Sequence, residues 1–123
     1  MIDTLRFVVE DQTVKADNGK LRPSLVPMQI LKDVAKVREF GVEKYHDPEN
    51  WKKVDKQRYI DAMLRHLLEW AENPDSMDKE SGLSSFYHFE CNVAFLSWIL
   101  EQEREELEQL EREICHEQKG SRG

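Results

Sequence analysis

Apolar residues recur at helical spacing in three stretches of the chain, and polar residues between them mark where each stretch stops. In residues 28–45, Ile30, Leu31, Val34, Val37 and Phe40 keep the period of one helix face, which predicts a first amphipathic helix. Gly41 lies near its end; a helical glycine costs about 1 kcal/mol against alanine, so it implies close packing or a bend there. A second helix is predicted over residues 57–72, with Ile60, Met63, Leu64, Leu67 and Ala71 on one face, and Asn73-Pro74-Asp75-Ser76 ends it. A third begins near Ser84 and continues past Ile114, about two to three times the length of an average helix. Positions 93, 96, 100, 103, 107, 110 and 114 hold Val, Leu, Leu, Glu, Leu, Leu and Ile. That is a heptad row with one polar interruption. Upstream, weak alternation in residues 5–10 predicts one short edge strand, Asp17-Asn18-Gly19 predicts a turn, and Pro23 and Pro27 keep residues 20–27 extended.

The expectation is an all-α fold in a single domain, residues 1–123, with a helical core at 19–100 and an acidic heptad helix at 101–118 suited to oligomerisation. Composition sharpens this, because 39% apolar against 35% charged residues is lean for a 123-residue core. A second copy is therefore expected to complete it, as a dimer or tetramer. No window approaches the roughly 20 apolar residues of a membrane span, and no basic segment precedes an apolar run at the N-terminus. These patterns predict a soluble, unexported, cytoplasmic protein with no membrane partner. Cys91 and Cys115 lie on one predicted helix, about 36 Å apart along its axis, too far to bridge within a chain. The net charge of −7 argues against a nucleic-acid polymer as partner, since such binding rests on many cations neutralising phosphates. The imbalance is uneven, however: residues 1–60 carry 12 basic and 10 acidic side chains, residues 61–123 carry 6 and 15. A small anionic ligand would find its countercharge in the first half, or in a metal ion.

Several residues could carry chemistry. Asp61, Arg65 and Glu69 follow at i, i+4, i+8 on the second helix. That spacing fits a surface ion-pair ladder, or a cation at Asp61 with a phosphate on the Arg65 guanidinium fork. His66 lies closer to the apolar face, where a hydrogen-bonded core histidine and a ligand are both open readings. Ser85, His88 and Asn92 share a face of the third helix with Phe95 and Ile99. Three buried polar groups there must either satisfy one another or line a cavity. Asp78, Glu80 and Ser81 precede that helix and suit capping as well as ligand binding. Asn50, Trp51 and Lys53 combine an amide, an aromatic and a cation in one loop; this suits stacking on a base beside a phosphate, and equally a tryptophan that anchors the loop. The glycines are too scattered for a phosphate-cradling loop.

Taken in order, Gly19-Lys20-x-Arg22-x-Ser24-Leu25-Val26-Pro27, Gly41-Val42-Glu43-Lys44-Tyr45, Asn50-Trp51, Tyr59-x-Asp61-Ala62-x-x-Arg65-His66-Leu67, Asp78-x-Glu80-Ser81-Gly82-Leu83 and His88-x-x-x-Asn92 resemble the phage-associated family of dATP/dGTP diphosphohydrolase N-terminal domains. That family is similar to the MazG-like all-α NTP pyrophosphohydrolases. The resemblance implies a MazG-like helical bundle that binds a nucleotide between helices and releases a monophosphate and pyrophosphate. It further implies Mg²⁺ or Mn²⁺ as cofactor, held by Glu43, Asp61 and Asp78. His66 and His88 would be catalytic, and Lys44, Tyr45, Asn50, Trp51, Arg65 and Asn92 would bind the nucleotide, with Trp51 or Tyr45 stacking on a purine.

The departures from the pattern are specific. MazG-like enzymes carry Glu-x-x-Glu and Glu-x-x-Asp where this chain offers Asp, Arg and His, then His, Cys and Asn, and the closer family has a histidine where this chain has Ser85. Magnesium prefers hard oxygen ligands, so fewer carboxylates imply weak metal binding. A non-catalytic module that sequesters a nucleotide signal is therefore the alternative to a hydrolase, and a purely structural helical oligomer a third reading.

Overall fold

The computed structural model describes residues 19–122. The strand expected at residues 5–10 lies outside the described residues, and of the expected turn at 17–19 only Gly19 is described, at φ +81°. Three helices carry the described chain: α1 (Gln29–Tyr45), α2 (Lys56–Glu72) and α3 (Ser85–Arg122). Short 3₁₀ turns occupy Pro23–Leu25 and Asn50–Lys53, and the only β feature among the described residues is an isolated bridge between Met77 and Ser84. The all-α class read from the pattern holds.

Local chemistry explains the helix ends. α1 closes on His46, whose left-handed backbone (φ 57°) lets its N–H reach the Val42 carbonyl at 2.7 Å, a conformation uncommon outside glycine. α2 begins after Asp55, whose carbonyl accepts the Arg58 N–H at 3.0 Å, and ends at Asn73 before Pro74, which cannot continue a helix. The connection to α3 is folded around Asp78. Its N–H donates to the Leu83 carbonyl and its carbonyl accepts the Gly82 N–H, both at 2.8 Å. Gly82 sits at φ +71°, where a side chain would be strained.

α2 packs antiparallel on α3. Lys56 meets Glu103 at 2.9 Å, Tyr59 meets Phe95 at 4.9 Å, His66 meets His88 at 4.9 Å and Trp70 meets Phe86 at 5.0 Å. Residue numbers thus rise on one helix as they fall on the other. Glu103, the polar interruption of the heptad row, is the partner of Lys56. α1 lies against the first turns of α3, with Asp33 and Glu90 both buried and Lys36 Nζ 5.2 Å from the Tyr87 ring centre. Both α1 and α2 pack mainly on α3 rather than on each other, which leaves a gap between them.

The core is thin, as the composition implied. Among the described residues the buried apolar side chains are Val37, Tyr59 and Cys91, accompanied by the buried polar Asp33, Ser85, Glu90 and Asn92. Beyond Glu103, α3 leaves the other helices behind. Its 38 residues rise about 57 Å against about 25 Å for α2, and Leu107, Leu110 and Ile114 are exposed. α1 runs unbroken through Gly41, where a Cβ would meet only Arg38 Nη1 at 3.6 Å, an ordinary contact. The close packing or bend expected at that glycine is not present; its bare backbone instead forms part of the gap's wall. No described helix is long and apolar enough to cross a membrane.

Candidate functional site

The gap between α1 and α2 is a cavity of about 410 Å³ floored by α3, within the usual size of a small-molecule site. A larger hollow beside residues 102–113 has walls from α3 alone, so nothing there can enclose a ligand. α1 lines the cavity with Val37, Arg38, Phe40, Gly41, Lys44 and Tyr45. α2 supplies Arg58, Tyr59, Ala62, Arg65 and His66, spaced as one helix face. The floor is His88, Cys91, Asn92 and Phe95, and the two connecting loops add Asp47, Asn50, Trp51, Val54, Asp78 and Glu80.

One end of the cavity is polar. His88 Nε2 lies 2.6 Å from Ser81 Oγ and 3.9 Å from Asp78 Oδ2, and its ring stacks on His66 at 4.9 Å. Asp78 Oδ2 accepts the N–H groups of Glu80 (3.1 Å) and Ser81 (2.9 Å). Burial pushes the Asp78 carboxyl up, but these amides, His88 and the Ser81 hydroxyl together hold it below the usual carboxylate range. Burial pulls the His88 imidazole down from its ordinary value, aided by His66 and opposed by Asp78, Glu69 and Glu80. His88 is therefore a neutral base at neutral pH. Asn92 Nδ2 donates to the His88 carbonyl at 2.8 Å. Lys44 forms an ion pair with Glu80, which raises the Lys44 pKa and ties α1 to the loop before α3.

The other end is aromatic. Trp51 stacks on Phe95 (4.8 Å, 13°) and meets Trp98 edge-on at 5.0 Å. The Tyr59 hydroxyl donates to the Trp51 carbonyl, and burial with Cys91 beside it pushes the phenol up to about 12. Trp51 thus has one face committed to the fold, which is the loop-anchoring reading of that residue. Tyr45 lies instead beside the Lys44–Glu80 pair of the polar end, 54% exposed with Lys44 Nζ 5.0 Å from its ring centre, and offers the freer surface for a base. Cys91 is a free thiol pushed by burial up to about 12, too high for a thiolate nucleophile.

The structure brings together His66, His88, Asp78, Lys44, Tyr45, Asn50, Trp51, Arg65 and Asn92 along one cavity. It leaves Glu43 and Asp61 outside. Glu43 is exposed beside Lys44, and Asp61, one position before Ala62 and about 100° round the helix, is exposed and accepts a hydrogen bond from Gln57 Nε2 at 3.1 Å. The ladder spacing of Asp61, Arg65 and Glu69 also separates three ways. Arg65 lines the cavity, while Glu69 accepts a hydrogen bond from Ser85 Oγ at 3.3 Å and lies 3.6 Å from His66 Nδ1. That His66 nitrogen is buried without a hydrogen bond. Of the polar stripe on α3, His88 and Asn92 line the cavity, whereas Ser85 is fully buried against Glu69.

Arg38, Asp47, Arg58 and Tyr59 line the cavity without having been singled out for it, and Glu80, read as either a cap or a ligand contact, lines it too. For Arg58 a signal existed, since it precedes Arg65 by seven residues and so shares its face. Among the described residues no three His, Cys, Asp or Glu side chains converge as a metal cage. Asp78 nonetheless suits a hard cation, because hydrogen bonds engage only its Oδ2 and magnesium is commonly held by one or two carboxylates plus substrate phosphates.

Comparison with known proteins adds two findings. A family model described as dATP/dGTP diphosphohydrolase, N-terminal, matches residues 10–109. A protein of Salmonella phage PMBT28 described as dATP/dGTP diphosphohydrolase is 34% identical over 87 residues, which cover 71% of this chain and 29% of that relative. The match thus spans well under half of the relative's length. No solved structure matches.

Proposed function

The chain belongs to the dATP/dGTP diphosphohydrolase N-terminal family, and on that premise we propose that its cavity binds a purine deoxynucleoside triphosphate and hydrolyses it to the monophosphate and pyrophosphate. The observation that carries this reading is the facing of unlike groups across one cavity. The neutral His88 beside Asp78 lies on the side of α3 and its preceding loop, and the guanidinium of Arg65 lies on α2. A neutral imidazole next to a carboxylate can take a proton from attacking water. Arg65 and Lys44 offset phosphate charge, and the Tyr45 ring stacks on the base. His66, stacked on His88, keeps the second imidazole from turning away.

Mg²⁺ or Mn²⁺ would be held by Asp78 together with phosphate oxygens of the nucleotide. When bound, it neutralises charge on the phosphoryl group. Glu43 and Asp61, outside the cavity, take no part in this arrangement. The fold is read as a MazG-like bundle that pairs with a second copy, supported by the apolar row Val93, Leu100, Leu107, Leu110 and Ile114, which is exposed in the single chain.

The test is to incubate the protein with each dNTP and either cation and to resolve the products. Equal amounts of monophosphate and pyrophosphate are expected, with dATP or dGTP ahead of the pyrimidines, and turnover is lost in EDTA. A second reading, nucleotide capture without turnover, is favoured by one observation: a single member of the expected metal-binding carboxylate set reaches the cavity. A nucleotide-induced thermal shift in EDTA with no product from any dNTP would support capture and sink hydrolysis.

A further inference from the structure

We infer that Arg58 measures the length of the phosphate chain, holding the pyrophosphate end of a bound triphosphate while Arg65 holds the phosphates next to the histidines. This rests on the proposed nucleotide site but reaches further, to what that site selects. Arg58, Ala62 and Arg65 line the cavity on one face of α2, and the two arginine Cα atoms stand about 10.5 Å apart along the helix. Between them on that face stand Tyr59, whose hydroxyl donates to the Trp51 carbonyl, and the small Ala62, neither of which carries a charge.

The four cations of the cavity divide into two kinds. Lys44 already has an ion-pair partner in Glu80, which a bound phosphate would share. Arg38 donates to the Pro48 carbonyl and lies over Phe95 at 5.3 Å and Trp51 at 6.0 Å. The side chains of Arg58 and Arg65, by contrast, have no hydrogen bond, ion pair or ring contact with any described residue. Asp47, the acidic residue at the aromatic end, is already engaged by Lys53 at 3.4 Å and by the Glu49 N–H at 2.9 Å. Two like charges that face one cavity, neither ion-paired among the described residues, favour an anion that reaches both. A single phosphate satisfies one guanidinium fork; a chain of linked phosphates satisfies two.

The polarity of the site orders that chain. Arg65 is next to His66 and near His88 and Asp78, where the bond would be cut, whereas Arg58 is next to Tyr59 at the aromatic end. The departing phosphates therefore extend toward Arg58. With the two Cα atoms about 10.5 Å apart, three linked phosphates should bridge the arginines better than the two of a nucleoside diphosphate or pyrophosphate.

Inorganic tripolyphosphate and pyrophosphate test this without a base or any turnover. Calorimetry should find tripolyphosphate bound more tightly by the unaltered protein. Arg58→Gln should lose about 10- to 100-fold in tripolyphosphate affinity, the worth of one charge-assisted bidentate contact, with less than about a twofold change for pyrophosphate. Arg65→Gln should weaken both, and Arg58→Lys should recover part of the preference. The Arg58 side chain is exposed and has no ion pair among the described residues, so an unchanged melting temperature checks that the variant folds. Equal weakening of both anions by Arg58→Gln, no weakening of either, or no binding of either anion by the unaltered protein would each overturn the inference. Arg58-dependent tripolyphosphate binding without dNTP turnover would leave it standing while the hydrolase reading fails. Turnover that ignores Arg58 would do the reverse.

Discussion

His88 and Glu90 sit two residues apart on α3, on opposite sides of the helix, and the two sides bury polar groups on different terms. On the cavity side, Asp78 meets two backbone N–H groups and the His88 imidazole, so its charged form is favoured. On the α1 side, Glu90 meets Asp33, whose Oδ1 accepts Gln29 Nε2 at 2.7 Å, and Glu90 Oε1 is buried with no partner. Burial first, and Asp33 second, push the Glu90 carboxyl up to about 7. A carboxylate surrounded by donors is ready for charge, whereas one facing another carboxylate holds a proton instead. The first side is organised for a ligand, the second for packing.

The comparison breaks most sharply at His88. His88→Asn should lower dATP or dGTP turnover by at least about 100-fold, the usual share of a proton-transfer group, without loss of the folded helix signal. In the unaltered protein, turnover should fall as pH drops below the ordinary histidine range, because the neutral imidazole is consumed. Turnover within about threefold of the parent would remove His88 from that role. Next comes Asp78→Asn, expected to cost about 10- to 100-fold in turnover at the Mg²⁺ concentration that just saturates the parent, and less when the metal is raised further.

Glu90 gives a smaller effect with a distinct pH signature. Its folded pKa lies above its unfolded value, so its contribution to stability is fully present below about 4.5 and is lost as pH rises through about 7. Glu90→Gln removes the carboxylate that forms there. It should raise stability at pH 8 by on the order of 1 kcal/mol and flatten the melting temperature between pH 6 and 8, while leaving turnover untouched. A melting profile with the parent's slope would show that the Asp33 pair carries no proton. Asp61→Asn and Glu43→Gln should do least, changing stability by no more than about 0.5 kcal/mol and leaving turnover at the parent's level; lost turnover in either would place a carboxylate in the site that the free chain holds outside it.

Helix boundaries were legible because they are local. Apolar period, Asn73-Pro74 and the polar loop before Lys56 set α1, α2 and the start of α3 to within a residue of the structure. The face of α2 that meets the cavity was only half legible. Arg65 and His66 stood out by type, but spacing tied Arg65 to Asp61 and Glu69, whereas the cavity pairs it by position with Arg58 and Ala62. The Asp33–Glu90 pair gave no sequence signal at all. Asp33 follows Lys32 on α1 and Glu90 lies among aromatic and apolar neighbours on α3, and their meeting depends on how α1 lies across α3. Ser85 is the instructive case: its type departs from the family pattern, and its environment, closed off against Glu69, depends on a partner sixteen residues away.

The unsupported length of α3 has a consequence for how the chain should breathe. Past Glu103 no other described helix packs over its backbone hydrogen bonds, and side-chain pairs such as Arg104 with Glu101 and Glu108, or Gln109 with Glu113, run along the helix itself. In a lone copy the amides of residues 105–120 should take up deuterium as a free peptide helix does, long before those of residues 86–100 beneath α1 and α2. Slow uptake there, sensitive to dilution, would time the arrival and departure of whatever lies along Leu107, Leu110 and Ile114.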